Sequence, residues 1–92
     1  MKVLLIYAHP EPRSLNGALK NFAIRHLQQA GHEVQVSDLY AMRWKAGYDA
    51  DDSGAPPVGE FWRPTLDSKQ AFAQGTQRAD LVAEQEKLPW AD

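Results

Sequence analysis

Val3-Leu4-Leu5-Ile6-Tyr7-Ala8, then His9-Pro10-Glu11-Pro12-Arg13-Ser14, then a helical period from Leu15 to Ala30, then Glu33-Val34-Gln35-Val36-Ser37-Asp38: on this stretch the fold turns. Residues 3–8 are an unbroken apolar run with β-branched members, too short for a helix. That is the pattern of a strand covered on both faces, as in a parallel sheet. The prolines at 10 and 12 end it, because proline cannot donate to a strand ladder. Ser14 is placed to cap a helix, and Leu15, Ala18, Leu19, Phe22, Ala23, Leu27 and Ala30 recur at spacings of three and four. These predict one apolar helix face, with Lys20, Arg25, Gln28 and Gln29 on or near the other. Gly31 stands where a helix commonly stops. Glu33 to Asp38 alternates and predicts a second strand, more exposed on one side. Strand, helix and strand within the first 38 residues make a βαβ unit. Its right-handed crossover makes the strands parallel neighbours, and the fold class α/β.

The rest of the chain has weaker periodicity. Residues 41–64 carry Trp44, Gly47, Tyr48, the carboxylates Asp49, Asp51 and Asp52, then Gly54, Pro56, Pro57, Gly59 and Pro64. They predict a long irregular loop, unusual in a small domain and of a kind that tends to be functional or mobile. Residues 66–74 suit a short helix. Residues 79–88 suit a better one, ending before Pro89. Only two strands are found, against the four or five of a doubly wound domain, so the chain is expected to be the N-terminal part of a single domain, residues 1–92.

Composition narrows the function classes. The chain has 92 residues, a formal charge of −2 and scattered basic residues, which argues against nucleic acid or an anionic membrane as partner. It has no cysteine, which excludes disulfide frameworks and thiolate chemistry and is compatible with a reducing cytoplasm. The apolar run after Met1-Lys2 is too short for a signal sequence. Nothing approaches the roughly 18 to 20 apolar residues needed to span a bilayer. A soluble, cytoplasmic protein is expected.

One segment points to a ligand. In open parallel sheets the binding crevice lies at the carboxyl ends of the strands, here the turn from His9 to Gly17. A helix N-terminus offers unpaired N–H groups and the positive end of its dipole, and so holds phosphate without a basic side chain. Ser14 adds a hydroxyl, Asn16 an amide and Arg13 a charge, while Gly17 permits close backbone approach. An ordinary capped helix explains the same residues. The glycine spacings of a P-loop and of a dinucleotide-binding fingerprint are absent.

Four blocks in order, Leu5-Ile6-Tyr7-Ala8-His9, Ser14-Leu15-Asn16, Ser37-Asp38-Leu39-Tyr40-Ala41-Met42 and Asp80-Leu81-Val82-Ala83-Glu84-Gln85-Glu86-Lys87-Leu88, resemble the NAD(P)H:quinone oxidoreductases, that is, DT-diaphorase and its bacterial relatives. The resemblance covers nearly all of this chain and about the first third of a typical member. It implies a flavodoxin-like, doubly wound parallel sheet, bound FAD (FMN in some branches), a homodimer, and hydride transfer from NAD(P)H through the flavin to a quinone. It implies cofactor contacts from His9, Ser14, Leu15, Asn16 and Gly17, with a further contact near Trp62 or Arg63. It assigns no catalytic residue within residues 1–92, because the family's ring-side loop and proton-donating Tyr and His come later. The chain is therefore expected to stop before the chemistry. Some relatives are cytoplasmic ancillary subunits of a potassium-efflux transporter, which leaves a regulatory module, or an inactive truncated product, as alternatives.

The remaining polar residues have plainer readings. Asp38 suits a cap or turn better than a ribose ligand. His26 and His32 suit a helix and a turn, and form no metal pattern with His9. Asp49, Asp51 and Asp52 lack the spacing of a calcium loop and suit a solvated loop. Glu84 and Glu86 belong to an amphipathic helix, and Trp44, Trp62 and Trp90 suit packing. Ser14, Ser37, Ser53 and Ser68 have no nucleophile-elbow context.

Overall fold

A computed structural model describes residues 1–54 and 59–92. Pro56 and Pro57 of the expected loop lie outside the described residues. The order is β1 (Lys2–Tyr7), α1 (Leu15–Gln29), β2 (Glu33–Asp38), a 3-10 turn (Ala50–Ser53), α2 (Pro64–Gln74) and α3 (Ala79–Trp90). The chain forms two compact units, Met1–Trp44 with Glu86–Asp92, and Lys45–Gln85.

In the first unit β1 and β2 pair in parallel, with Lys2 opposite Glu33 and Tyr7 opposite Asp38. The strand begins one residue earlier than the apolar run suggests and ends before Ala8. Met1 O accepts from Glu33 N–H and Tyr7 O from Leu39 N–H, so the odd residues of β1 bond to β2. Lys2, Leu4 and Ile6 aim their backbone groups at the opposite edge. There Lys2 O accepts from Asp92 N–H at 2.9 Å and Lys2 N–H donates to the Asp92 carboxylate at 2.8 Å.

The two faces of this sheet are served by different helices. Lys20 of α1 reaches Asp38, whereas Lys87 of α3 donates to Val36 O and Ser37 Oγ. Neighbouring strand side chains alternate between faces, so α1 and the last turn of α3 flank opposite sides of the ribbon. That is the layering of a doubly wound fold. Cover is nonetheless thin: Tyr7 is the one buried hydrophobic residue of this unit among the described residues, and Ile6 is 63% exposed.

α1 ends as expected. Gly31 has φ +89°, and the Gly31 and His32 N–H groups donate to Gln28 O and Leu27 O, a Schellman closure. Its orientation, however, corrects the expected face. Gly17, Lys20, Ala23, Ile24 and Leu27 are the residues buried or half-buried, while Leu15, Ala18, Leu19 and Phe22 are exposed. At 100° per residue these are opposite sides of one helix that is apolar on both. Gly17 selects between them. A Cβ there would lie 2.2 Å from the Pro12 carbonyl oxygen and 3.2 Å from Tyr7 Oη, so glycine alone lets this side seat against the loop and β1. Lys20 therefore turns inward, not outward.

The second unit is built on polar anchors. Asp49 and Asp52 cap the 3-10 turn reciprocally, and Asp52 is buried beside Arg78 Nη1 at 3.1 Å. The expected solvated loop is corrected here: Asp52 is a structural ion, paired with Arg78 and approached by Lys45. α2 starts two residues earlier than expected because Pro64 takes the first helical position, where its missing N–H costs nothing. α3 runs through Pro89 to Trp90, past the expected stop. Its last turn is held by Ala91 N–H donating to Lys87 O, by the Lys87 bonds to β2 and by the Asp92 bonds to Lys2. These tertiary contacts outweigh the local proline penalty.

Two outcomes follow from this packing. The isolated 92-residue chain, with the Leu4 and Ile6 edge groups and Ile6 side chain exposed, should self-associate or bind a hydrophobic dye. A sharp melt from a species shown by sedimentation to be monomeric would contradict this. Gly54 has φ +82° and faces the Thr76 carbonyl oxygen at 2.3 Å from a built Cβ. Gly54→Ala should cost on the order of 1–3 kcal/mol, read by denaturant titration.

Candidate functional site

Because Tyr7 sits opposite Asp38, the carboxyl ends of both strands open into the same space. A cavity of about 230 Å³ lies there, lined by Tyr7, His9, Pro10, Pro12, Asp38, Tyr40 and Ala41. The β1–α1 turn forms one wall and the turn after β2 the other.

The first wall ends in a well-formed cap. Ser14 has extended backbone, and its Oγ accepts from Gly17 N–H at 3.0 Å. Ala18 N–H donates to Ser14 O, so the Leu15 and Asn16 N–H groups are the first-turn donors without a capping partner among the described residues. Leu15 and Asn16 are exposed. His9 is half-buried, with Nδ1 3.0 Å from Glu11 N–H. The same Nδ1 lies 3.2 Å from Glu11 O, so the tautomer decides which ring nitrogen is the donor. Arg13 turns back on its own loop: its Nε donates to Glu11 Oε1 at 3.0 Å and holds that carboxyl below its usual range. Gly17 is buried, and its close approach is to the Pro12 carbonyl within the protein. These groups fit the phosphate end of a nucleotide: backbone donors at a helix N-terminus, a ring N–H and a hydroxyl.

The second wall is fixed by Asp38. Its Oδ1 accepts from Ala41 N–H at 3.2 Å, which confirms the turn reading, and its Oδ2 accepts from Lys20 Nζ at 3.0 Å. Both oxygens are thus engaged by the fold. Lys20 also stands 4.5 Å above the Tyr7 ring centroid. The Tyr7 hydroxyl beneath is buried with no partner among the described residues. Sequence reading missed Lys20 and Tyr7. The signal was the stripe Gly17, Lys20, Ile24, Leu27, at helical spacing on the face away from Leu15.

Other residues singled out earlier have surroundings of their own. Trp62 is half-buried with its ring edge-on to Tyr48 at 5.5 Å, and its Nε1–H lacks an acceptor among the described residues. Arg63 is exposed at the start of α2. His26 stacks on Phe22 and His32 meets the N-terminal amine. Among the described residues no three His, Asp or Glu side chains gather as metal ligands, and no helix is long and apolar enough to cross a membrane.

A family model described as flavodoxin-like fold matches residues 1–92. The chain belongs to the flavodoxin-like family. A crystal structure of a Klebsiella pneumoniae protein, described as a candidate quinone reductase, superposes with a TM-score of 0.93 at 97% identity, over all of this chain and 36% of that one. A ribosyldihydronicotinamide dehydrogenase-like protein of Penicillium crustosum is 48% identical over all of this chain and 34% of its own length. Human ribosyldihydronicotinamide dehydrogenase [quinone] is 40% identical over 99% of this chain and 40% of its own. Rat NAD(P)H dehydrogenase [quinone] 1 is 38% identical over 99% and 34%. The chain thus spans roughly a third to two-fifths of the length of the curated relatives it matches. The four sequence blocks and the flavodoxin-like expectation are borne out by these similarities.

The Lys20 bond, outweighing the opposing effect of burial, holds the Asp38 carboxyl below the ordinary aspartate value of 3.8. A depressed folded-state value means that folding favours the ionised form. Its stabilisation is complete at neutral pH and is lost as pH falls through the folded value. Asp38→Asn should therefore flatten the acid limb of a stability–pH curve below about pH 4, leaving the neutral-to-alkaline limb alone. An unchanged acid limb would show that the pair contributes nothing.

Proposed function

We propose that this chain is the nucleotide-holding part of a flavin-dependent NAD(P)H:quinone oxidoreductase, and that residues 1–92 are the N-terminal part of a single flavodoxin-like domain. The observation that supports it most is the α1 N-terminus that follows the first strand, where the Leu15 and Asn16 N–H groups have no capping partner among the described residues. Relatives named as quinone-dependent dehydrogenases share this segment.

On this reading the Leu15 and Asn16 N–H groups and the Ser14 hydroxyl bind phosphate oxygens, and the His9 ring donates beside them. Leu15 contributes through its backbone, and Gly17 keeps the turn close to Pro12. Bound FAD, with FMN the alternative, supplies two-electron chemistry between NAD(P)H and a quinone, while the protein orients it. The working form is a cytoplasmic homodimer, and catalytic side chains come from outside residues 1–92.

Asn16 also brings its side-chain amide to the ligand, so Asn16→Ala in the full-length protein should weaken flavin retention by about 1–2 kcal/mol, the scale of one polar contact. Dialysis followed by absorbance reads it, and retention equal to the parent would show the cradle misplaced. The full-length protein should reduce a simple quinone with NADH or NADPH, and the flavin-loaded 92-residue chain should not exceed free flavin. Failure of the full-length protein would sink the proposed activity.

A further inference from the structure

Asp38 is the one carboxylate in the wall of the cavity. An aspartate there would repel a phosphate-bearing ligand. The compensating charge comes from beneath: Lys20 is carried on the sheet-facing side of α1, its side chain 16% exposed, with Nζ 3.0 Å from Asp38 Oδ2. Tyr7 closes the underside, its ring 4.5 Å from the ammonium, and Ala41 N–H pins the other carboxylate oxygen. Lys20 itself is not among the residues that line the cavity.

We propose that Lys20 is a positioning residue for anion recognition, which acts through Asp38 by cancelling its charge and thereby gives the cavity its selectivity for phosphate-bearing over neutral ligands. The inference rests on the nucleotide-holding reading above. It differs from a purely structural ion pair in what it requires of charge. With Asp38 neutralised, no net negative charge stands among the described lining residues to repel a phosphate. Without Lys20, the Asp38 charge is uncompensated in a partly desolvated wall, where screening by salt is weak. With both charges removed, the field returns to that of the parent.

FMN and riboflavin share ring and ribityl chain and differ by the phosphate, so their affinity ratio isolates the charge effect. In the full-length protein at low ionic strength, Lys20→Met should lower that ratio roughly three- to tenfold. Asp38→Asn should raise it by a similar factor, and the double variant should return it to the parent value. A structural pair predicts otherwise: both single variants lose FMN and riboflavin alike, and that result would overturn the proposal. So would a double variant that fails to restore the ratio. If Lys20→Met does not fold by circular dichroism, Asp38→Asn decides alone, since only a charge role makes loss of a carboxylate tighten FMN. Inorganic pyrophosphate, followed by calorimetry, separates the two readings. Should the parent bind pyrophosphate but neither flavin, the flavin assignment falls. The same sign pattern with pyrophosphate would still support Lys20, and its absence would overturn it. A parent that binds none of the three would overturn both.

Discussion

Everything in the first unit hangs on the parallel pairing of two six-residue strands. Parallel neighbours cannot be joined by a tight turn, so the chain must cross over through a helix and return to the same end of the sheet. That crossover puts α1 on one face and brings both carboxyl ends to the same level. The His9 turn and the Asp38 turn then share a cavity because the connection leaves them nowhere else to go. The ligand geometry is in this sense a by-product of strand direction.

Polar contacts do an unusual share of the holding. With few hydrophobic residues fully buried, each unit is organised by placed charges: Lys20 and Lys87 on opposite faces of the sheet, Arg78 and Lys45 around Asp52. Such pairs add little net stability when half exposed. They do specify register, because a carboxylate or ammonium turned away from water tolerates one geometry far better than its neighbours. In a small, thinly covered unit that specificity matters more than the stability itself.

The two orphaned aromatic donors fit the same picture. The Tyr7 hydroxyl is buried under Lys20 and Gly17, and Trp62 Nε1 is buried beside Tyr48, each without an acceptor among the described residues. Tyr7 is held by its ring, which serves as the floor for an ammonium, so its hydroxyl follows where the ring is placed.

Local chemistry made much of this legible in advance. The Ser14 cap, the Gly31 stop, β2 from Glu33 to Asp38 and the parallel crossover depend on backbone rules that act within a few residues, and each is where the pattern puts it. Four short motifs were enough to point to the flavodoxin-like family. What the residues alone left open was orientation. A helix apolar on two opposite sides offers two ways to lie on a sheet, and only the seat of Gly17 against Pro12 and Tyr7 chooses one. That choice carried Lys20 inward to Asp38, made Leu15, Leu19 and Phe22 exposed, and set the charge of the cavity wall. The same holds for Asp52 and Pro89. A carboxylate in a loop becomes a buried ion only when Arg78 arrives from afar in the sequence, and a helix outlasts its proline only when Lys2 and β2 hold its end. Backbone preference is local and can be read along the chain, whereas the partner of a charge or the buried side of a helix is decided by residues that meet only once the chain has folded.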